Sequence, residues 1–169
     1  MTIAAFRVGV LIARIVFVIL IATAVASCEP AQEPFDLSSV PDRSRVELQV
    51  GEQAIVVEVV NTTDSVRQGL SGRSEIGSDG MLFLMPERAV ARFWMKEMLF
   101  PLDMIWIDGD SVVGITSDVP IPTAGMTTTS LPVYPSPSRV TSVLEVPAGT
   151  AAERGWVTGD RIQAIKLVE

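Results

Sequence analysis

The strongest constraint on this chain's fold is a run of short apolar stretches of strand length, separated by turn signals at short intervals. Val46, Leu48 and Val50 alternate with Glu47 and Gln49. That period of two places one set of side chains on a buried face and the other in solvent. Gly51-Glu52-Gln53 turns the chain into Ala54–Val60, where Ile55, Val57 and Val59 repeat the alternation. After Asp79-Gly80 comes the apolar run Met81-Leu82-Phe83-Leu84-Met85, a buried strand that Pro86-Glu87 is expected to end. Ala91, Phe93 and Met95 alternate with Arg92, Trp94 and Lys96 in a further strand. Leu102–Ile107, the turn Asp108-Gly109-Asp110 and Ser111–Thr116 read as a hairpin. Val140–Val146 and Arg161–Lys166 complete a set of about eight short strands. Such a set, with turns this frequent, predicts a mainly β domain, a sandwich or barrel.

Two short helices fit between the strands. Thr62 or Thr63 supplies a hydroxyl to cap one carrying Val66 and Leu70 on one side, with Gly69 and Gly72 limiting its length. Thr150–Arg154 is one helical turn ending at Gly155. Between Ser117 and Ser138 stand five prolines and the run Thr127-Thr128-Thr129-Ser130. Proline has no donor for a sheet ladder, so this segment reads as a long loop or edge segment covering one sheet face.

The N-terminus has a different character. Arg7 and Arg14 are the only charges before Cys28, and Ile15–Ser27 is apolar and then small. That run falls short of the roughly 18–20 apolar residues a membrane span needs. Residues 1–27 therefore read as a cleaved secretory signal, the alternative being an uncleaved anchor helix that starts early enough to include Val8–Ala13. Val25-Ala26-Ser27-Cys28 is similar to a bacterial lipobox, which makes Cys28, the chain's single cysteine, the expected site of lipidation. Residues 28–45, with Pro30, Pro34 and Pro41, read as a flexible tether, and 46–169 as one β domain. The expected location is the cell envelope, facing the periplasm or exterior, with lipid on Cys28 as the membrane contact. A domain without a disulfide must then stand on its hydrophobic core.

Charge and composition exclude several functions. The formal net charge is −7, and removal of the signal takes it to −9 because both residues lost are arginines. A domain that acidic is repelled by nucleic acid and by anionic headgroups. There is no histidine, so no histidine base and no histidine metal ligand. Asp108-Gly109-Asp110 offers too few acids for calcium, which takes six to eight oxygens. No metal and no cofactor is expected.

The candidate site residues are Arg73, Trp94, Lys96, Asp103 and Glu145. Lys96 and Asp103 sit among large apolar groups, and a buried charge needs a partner. They are expected either to pair across the connection that ends at Pro101, or to leave Asp103 accepting backbone N–H bonds. Trp94 shares a strand face with Arg92 and Lys96, which suits cation–π packing or stacking on a sugar or other flat ligand. Arg67 and Arg73 bracket Gly69 and Gly72, and their forks are expected on acids such as Asp79 or Glu145.

A wider pattern emerges when these pieces are set in order: Arg67-Gln68-Gly69-Leu70, Arg73, Asp79-Gly80-Met81-Leu82-Phe83, Phe93-Trp94-Met95-Lys96, Pro101-Leu102-Asp103, Leu144-Glu145 and Gly159-Asp160. The ordered set resembles the family called domain of unknown function 192. The resemblance implies a mainly β, jelly-roll-like fold and brings no activity with it. Glu97-Met98 departs from the polar pair usual after the family's lysine. Two functions are open. The first is a non-enzymatic accessory module that binds a small molecule or saccharide. The alternative is a histidine-free hydrolase or transferase with Asp103 or Glu145 as acid or base and Lys96 as stabiliser.

Overall fold

The computed structural model describes residues 35–168, and the N-terminal signal and Cys28 lie outside them. The strands are β1 (Arg45–Val50), β2 (Gln53–Val60), β3 (Gly80–Trp94), β4 (Leu102–Asp108), β5 (Ser111–Val119), β6 (Val133–Pro147) and β7 (Ile162–Val168). Helix α1 spans Thr63–Gln68 and α2 spans Thr150–Glu153. No described helix is long and apolar enough to cross a membrane.

The strands form one seven-stranded sheet in the order β5-β4-β6-β3-β2-β1-β7. All pairs are antiparallel except β2 with β3. A parallel pair needs a crossover, and residues 61–79 with α1 supply it. The sheet curls until its two ends meet near the β5 start. Ser111 and Arg161 form an isolated bridge, Val112 donates to the Asp160 carbonyl at 2.9 Å, and Ile162 donates to that of Asp110 at 2.8 Å. The mainly β, barrel-like expectation therefore stands, with seven strands rather than about eight.

The lost strand is a merger. The expected break at Pro86 does not end β3, which runs on to Trp94. The β3–β6 register shifts between Leu84 and Ala89, so Pro86 falls in a bulge where its missing N–H is not needed. The proline-rich segment is also shorter than expected, because Pro135 and Pro137 lie inside β6. The Ala91 N–H next to them finds the Ser136 hydroxyl at 3.0 Å. The loop proper is confined to residues 120–132, with one 3-10 turn at Thr128–Ser130.

Residues 28–34 of the expected tether lie outside the described residues, and the rest of it, 35–45, is not a free linker. From Phe35 the chain is packed: Phe35 and Leu37 lie against the core, and Val40 is buried within it. Asp42 accepts from the Ser65 hydroxyl at 2.6 Å and from the Asn61 N–H at 3.0 Å. Apolar residues at 35, 37 and 40 outweigh the prolines around them, because burial stabilises more than a stiff backbone costs.

Two apolar clusters fill the two sides of the curled sheet. Val46, Leu48, Val57, Leu82, Ile105, Leu144 and Val146 belong to the first. Met81, Phe83, Met98, Met104, Trp106 and Val143 belong to the second. The period of two divides each central strand between them. On β6, Leu144 and Val146 face the first cluster, which leaves Val143 and Glu145 on the side of the second. On β4, Ile105 and Ile107 face the first cluster and Met104 and Trp106 the second, so Asp103 shares the side of the first.

Candidate functional site

The parity of β6 puts a carboxyl where a core side chain would be expected. Glu145 stands opposite Met81 on one side and Met104 on the other. It is only 4% exposed. Among the described residues its carboxyl has neither an ion pair nor a side-chain hydrogen bond. Burial without such compensation pushes its pKa up to about 8. The group is thus protonated at neutral pH.

The small exposed part of Glu145 faces a groove of about 230 Å³. One wall is α1 and the turn after it, with Val66, Arg67, Gly69 and Ser71. The other wall is β3, with Phe83, Arg92, Phe93 and Trp94. Each wall has a local cause. Thr62 caps α1, its hydroxyl accepting from the Ser65 N–H while the Ser65 hydroxyl accepts from the Thr62 N–H. Gly69 ends the helix at φ +49°, and a Cβ there would lie 3.0 Å from the Phe83 ring. Glycine is therefore needed for both the turn and the close approach to Phe83. Phe83 is held edge-on by Phe93 (5.1 Å between centroids, 86°), and Phe93 by Trp106 (5.8 Å, 79°). Arg67, Gln68, Ser71 and Trp94 also line an adjoining hollow with Asp64, Lys96 and Glu97.

The sequence-predicted residues divide between site and scaffold. Trp94 is 45% exposed and lines both hollows. The only cation–π contact among the described residues is Arg154 over Trp156 at 5.7 Å, so Trp94 leaves its face uncovered by a cation. Arg73 does not line the groove. It holds Glu58 in two bonds of 2.7 and 2.9 Å, with Arg43 adding a third of 3.0 Å. Those guanidiniums, Arg73 foremost, keep the Glu58 carboxyl below its usual pKa. Among the described residues, neither Asp79 nor Glu145 takes an arginine. Asp79 accepts instead from the Val56 N–H at 2.8 Å.

Lys96 and Asp103 do not pair. The expectation assumed that the strands flanking the 97–101 connection lie side by side, but β6 lies between β3 and β4. Asp103 is fully buried, its oxygens accepting from the backbone N–H groups of Asp118 (2.8 Å) and Ala151 (2.9 Å). This is the backbone-accepting role foreseen for it, directed to β5 and α2 rather than to the connection. Lys96 reaches Glu97 at 3.5 Å, both side chains substantially exposed. Replacing Lys96 by methionine should therefore shift urea unfolding by no more than about 1 kcal/mol. A loss above about 3 kcal/mol would restore a buried partner for it.

Asp103, Lys96 and Glu145 thus form no convergent triad, and Glu145 alone of the three lines the groove beside Phe83. Sequence reasoning missed Arg92 as a groove residue in its own right. It did not see that Met98 returns from the connection to the groove. Among the described residues, no three His, Cys, Asp or Glu side chains are grouped to hold a metal.

Fold and site together define a curled-sheet β domain with a small apolar groove and one unpartnered buried acid in its wall. The chain belongs to the domain of unknown function 192 family, described as "Uncharacterized ACR", whose sequence profile matches residues 46–164. Its fold is similar to that of a proposed transcription regulator from Sinorhizobium meliloti 1021, at 25% identity and TM-score 0.64, covering 74% of this chain and 97% of that one. It is also similar to a protein of unknown function from Novosphingobium aromaticivorans DSM 12444, at 28% identity and TM-score 0.61, covering 79% of this chain and 94% of that one. A search of curated proteins gives no match.

Proposed function

We propose that this protein is a lipid-anchored module of the cell envelope that binds a small molecule in the Glu145 groove without transforming it. The observation that carries the binding role is Glu145 itself. Among the described residues its carboxyl has no protein partner, and it borders the groove, so its hydrogen-bonding capacity is open to whatever occupies that groove. Retaining it in the wall of an apolar groove makes sense where a ligand completes its hydrogen bonds. The anchor rests on the sequence at Cys28 and on the apolar run before it.

The hydrolase or transferase reading keeps one favourable feature, an acid protonated at pH 7. It lacks helpers: Asp103 is engaged by backbone, and Lys96 lines only the adjoining hollow. The regulatory role proposed for the Sinorhizobium relative is not carried over, because a chain of net charge −7 is a poor partner for nucleic acid.

Amide chemical-shift mapping against a small-fragment library tests the binding role. Shifts confined to residues 66–71, 83–94 and 145 are the expected result, and a silent groove would sink the reading. Labelling with a radioactive fatty acid tests the anchor: the parent should incorporate the label and Cys28→Ala should not, keeping instead the mass of the uncleaved chain, and equal labelling or equal processing of the two would overturn it.

A further inference from the structure

The groove's charges narrow what it can hold. Arg67 and Arg92 line it, both exposed, and neither has an ion pair or a side-chain hydrogen bond among the described residues. Every other arginine there has a carboxylate, amide or carbonyl partner: Arg43 and Arg73 on Glu58, Arg45 on Gly77, Arg88 on Asp108, Arg139 on Arg88, Arg154 on Gln53 and Arg161 on Asp110. In a chain with more acids than bases, two uncommitted guanidiniums at one small groove are out of keeping with the rest of the surface. An arginine fork matches a carboxylate or phosphate in two bonds.

We propose, building on the binding role above, that the groove takes a compact amphipathic anion. Its charged group meets Arg67 and Arg92, a flat apolar body lies against Phe83, Phe93 and Trp94, and a hydroxyl or carbonyl oxygen reaches the Glu145 carboxyl. Three observations set this class apart from its competitors. The groove beside Glu145 measures about 230 Å³, so the apolar body against Phe83 and Phe93 is about one ring in size, and the adjoining hollow of about 650 Å³ leaves room for the charged group at Arg67. A cationic ligand would meet two guanidiniums. A neutral saccharide would use the Trp94 face and leave both guanidinium charges without a counter-charge.

Protonated Glu145 can donate to the ligand's oxygen. The other titratable groups of the groove are Arg67 and Arg92, and the adjoining hollow adds Asp64, Lys96 and Glu97. Once Glu145 ionises, a negative charge stands beneath a bound anion. Affinity therefore falls as pH rises through about 8.

Calorimetric titration of the full-length protein with a matched series tests this: 4-hydroxyphenylacetate, its neutral counterpart tyrosol and its cationic counterpart tyramine. At pH 7 the anion should bind at least about tenfold tighter than the other two, the scale of one charge-assisted hydrogen bond. The double variant Arg67→Ala, Arg92→Ala should bring the anion's affinity down to that of tyrosol. Both arginines are exposed, so the variant should fold. Glu145→Gln should lose the decline in affinity that the parent shows as pH rises through about 8. Tyrosol or tyramine binding as tightly as the anion would overturn the proposed ligand class and leave the binding role standing. No binding by any of the three, with the groove silent to the fragment library as well, would overturn both.

Discussion

Replacing Asp103 by alanine should destabilise the domain by roughly 3–6 kcal/mol, from the loss of two hydrogen bonds to a carboxylate at about 1.5–3 kcal/mol each. The side chain is fully buried, and among the described residues it makes no ion pair. Its compensation is the pair of backbone N–H groups of Asp118 and Ala151. Ala151 lies in the first turn of α2, where the N-cap position is Gly149, at φ +86° and without a side chain to cap the helix. Asp103 supplies the missing acceptor from across the fold. Asp118 has φ +53° at the end of β5, next to the shift in the β4–β5 register. One side chain thus fastens a helix and an irregular strand to β4. Asp103→Asn retains one acceptor oxygen and should lose about half as much. Urea unfolding with an unchanged m-value is the measurement, and a loss below about 1 kcal/mol for alanine would show that the two amides find other partners.

The second large effect is alkaline destabilisation through Glu145. In the folded protein its pKa is raised from 4.5 to about 8 by burial. Between those values the folded state keeps a proton that the unfolded state has released. Stability therefore falls as pH rises across that window and levels off above it. Every tenfold difference in proton affinity between the two states is worth about 1.4 kcal/mol, so the full span is on the order of 4–5 kcal/mol. Glu145→Gln keeps the polar shape and abolishes the titration. It should be more stable than the parent above pH 8 and show a flatter stability profile between pH 5 and 8. Parallel profiles for the two proteins would mean that Glu145 ionises freely in the folded state.

Much of the fold was legible because its causes are local. The alternation in Val46–Val50 and Ile55–Val59 selects strand over helix wherever it occurs. The Thr62 cap and the turn at Asp108-Gly109-Asp110 depend on groups only a few residues apart. The misreadings came where distant chain overrides a local signal. Pro86 and Pro137 read as strand breakers, yet β3 and β6 pass through them because a bulge and the Ser136 hydroxyl absorb the missing ladder bonds.

The sequence by itself determined the mainly β class, the two short helices, the acidic surface, the absence of histidine chemistry and family membership. Tertiary structure alone decided what the polar residues do. The insertion of β6 between β3 and β4 separated Lys96 from Asp103. The crossover through α1 brought Arg67 to the same groove as Arg92 and Glu145. Strand periodicity states which residues share a face of one strand, but not which strand lies beside it. Partners for buried and charged groups come from neighbours far away in sequence, and those are set when the whole sheet closes on its core.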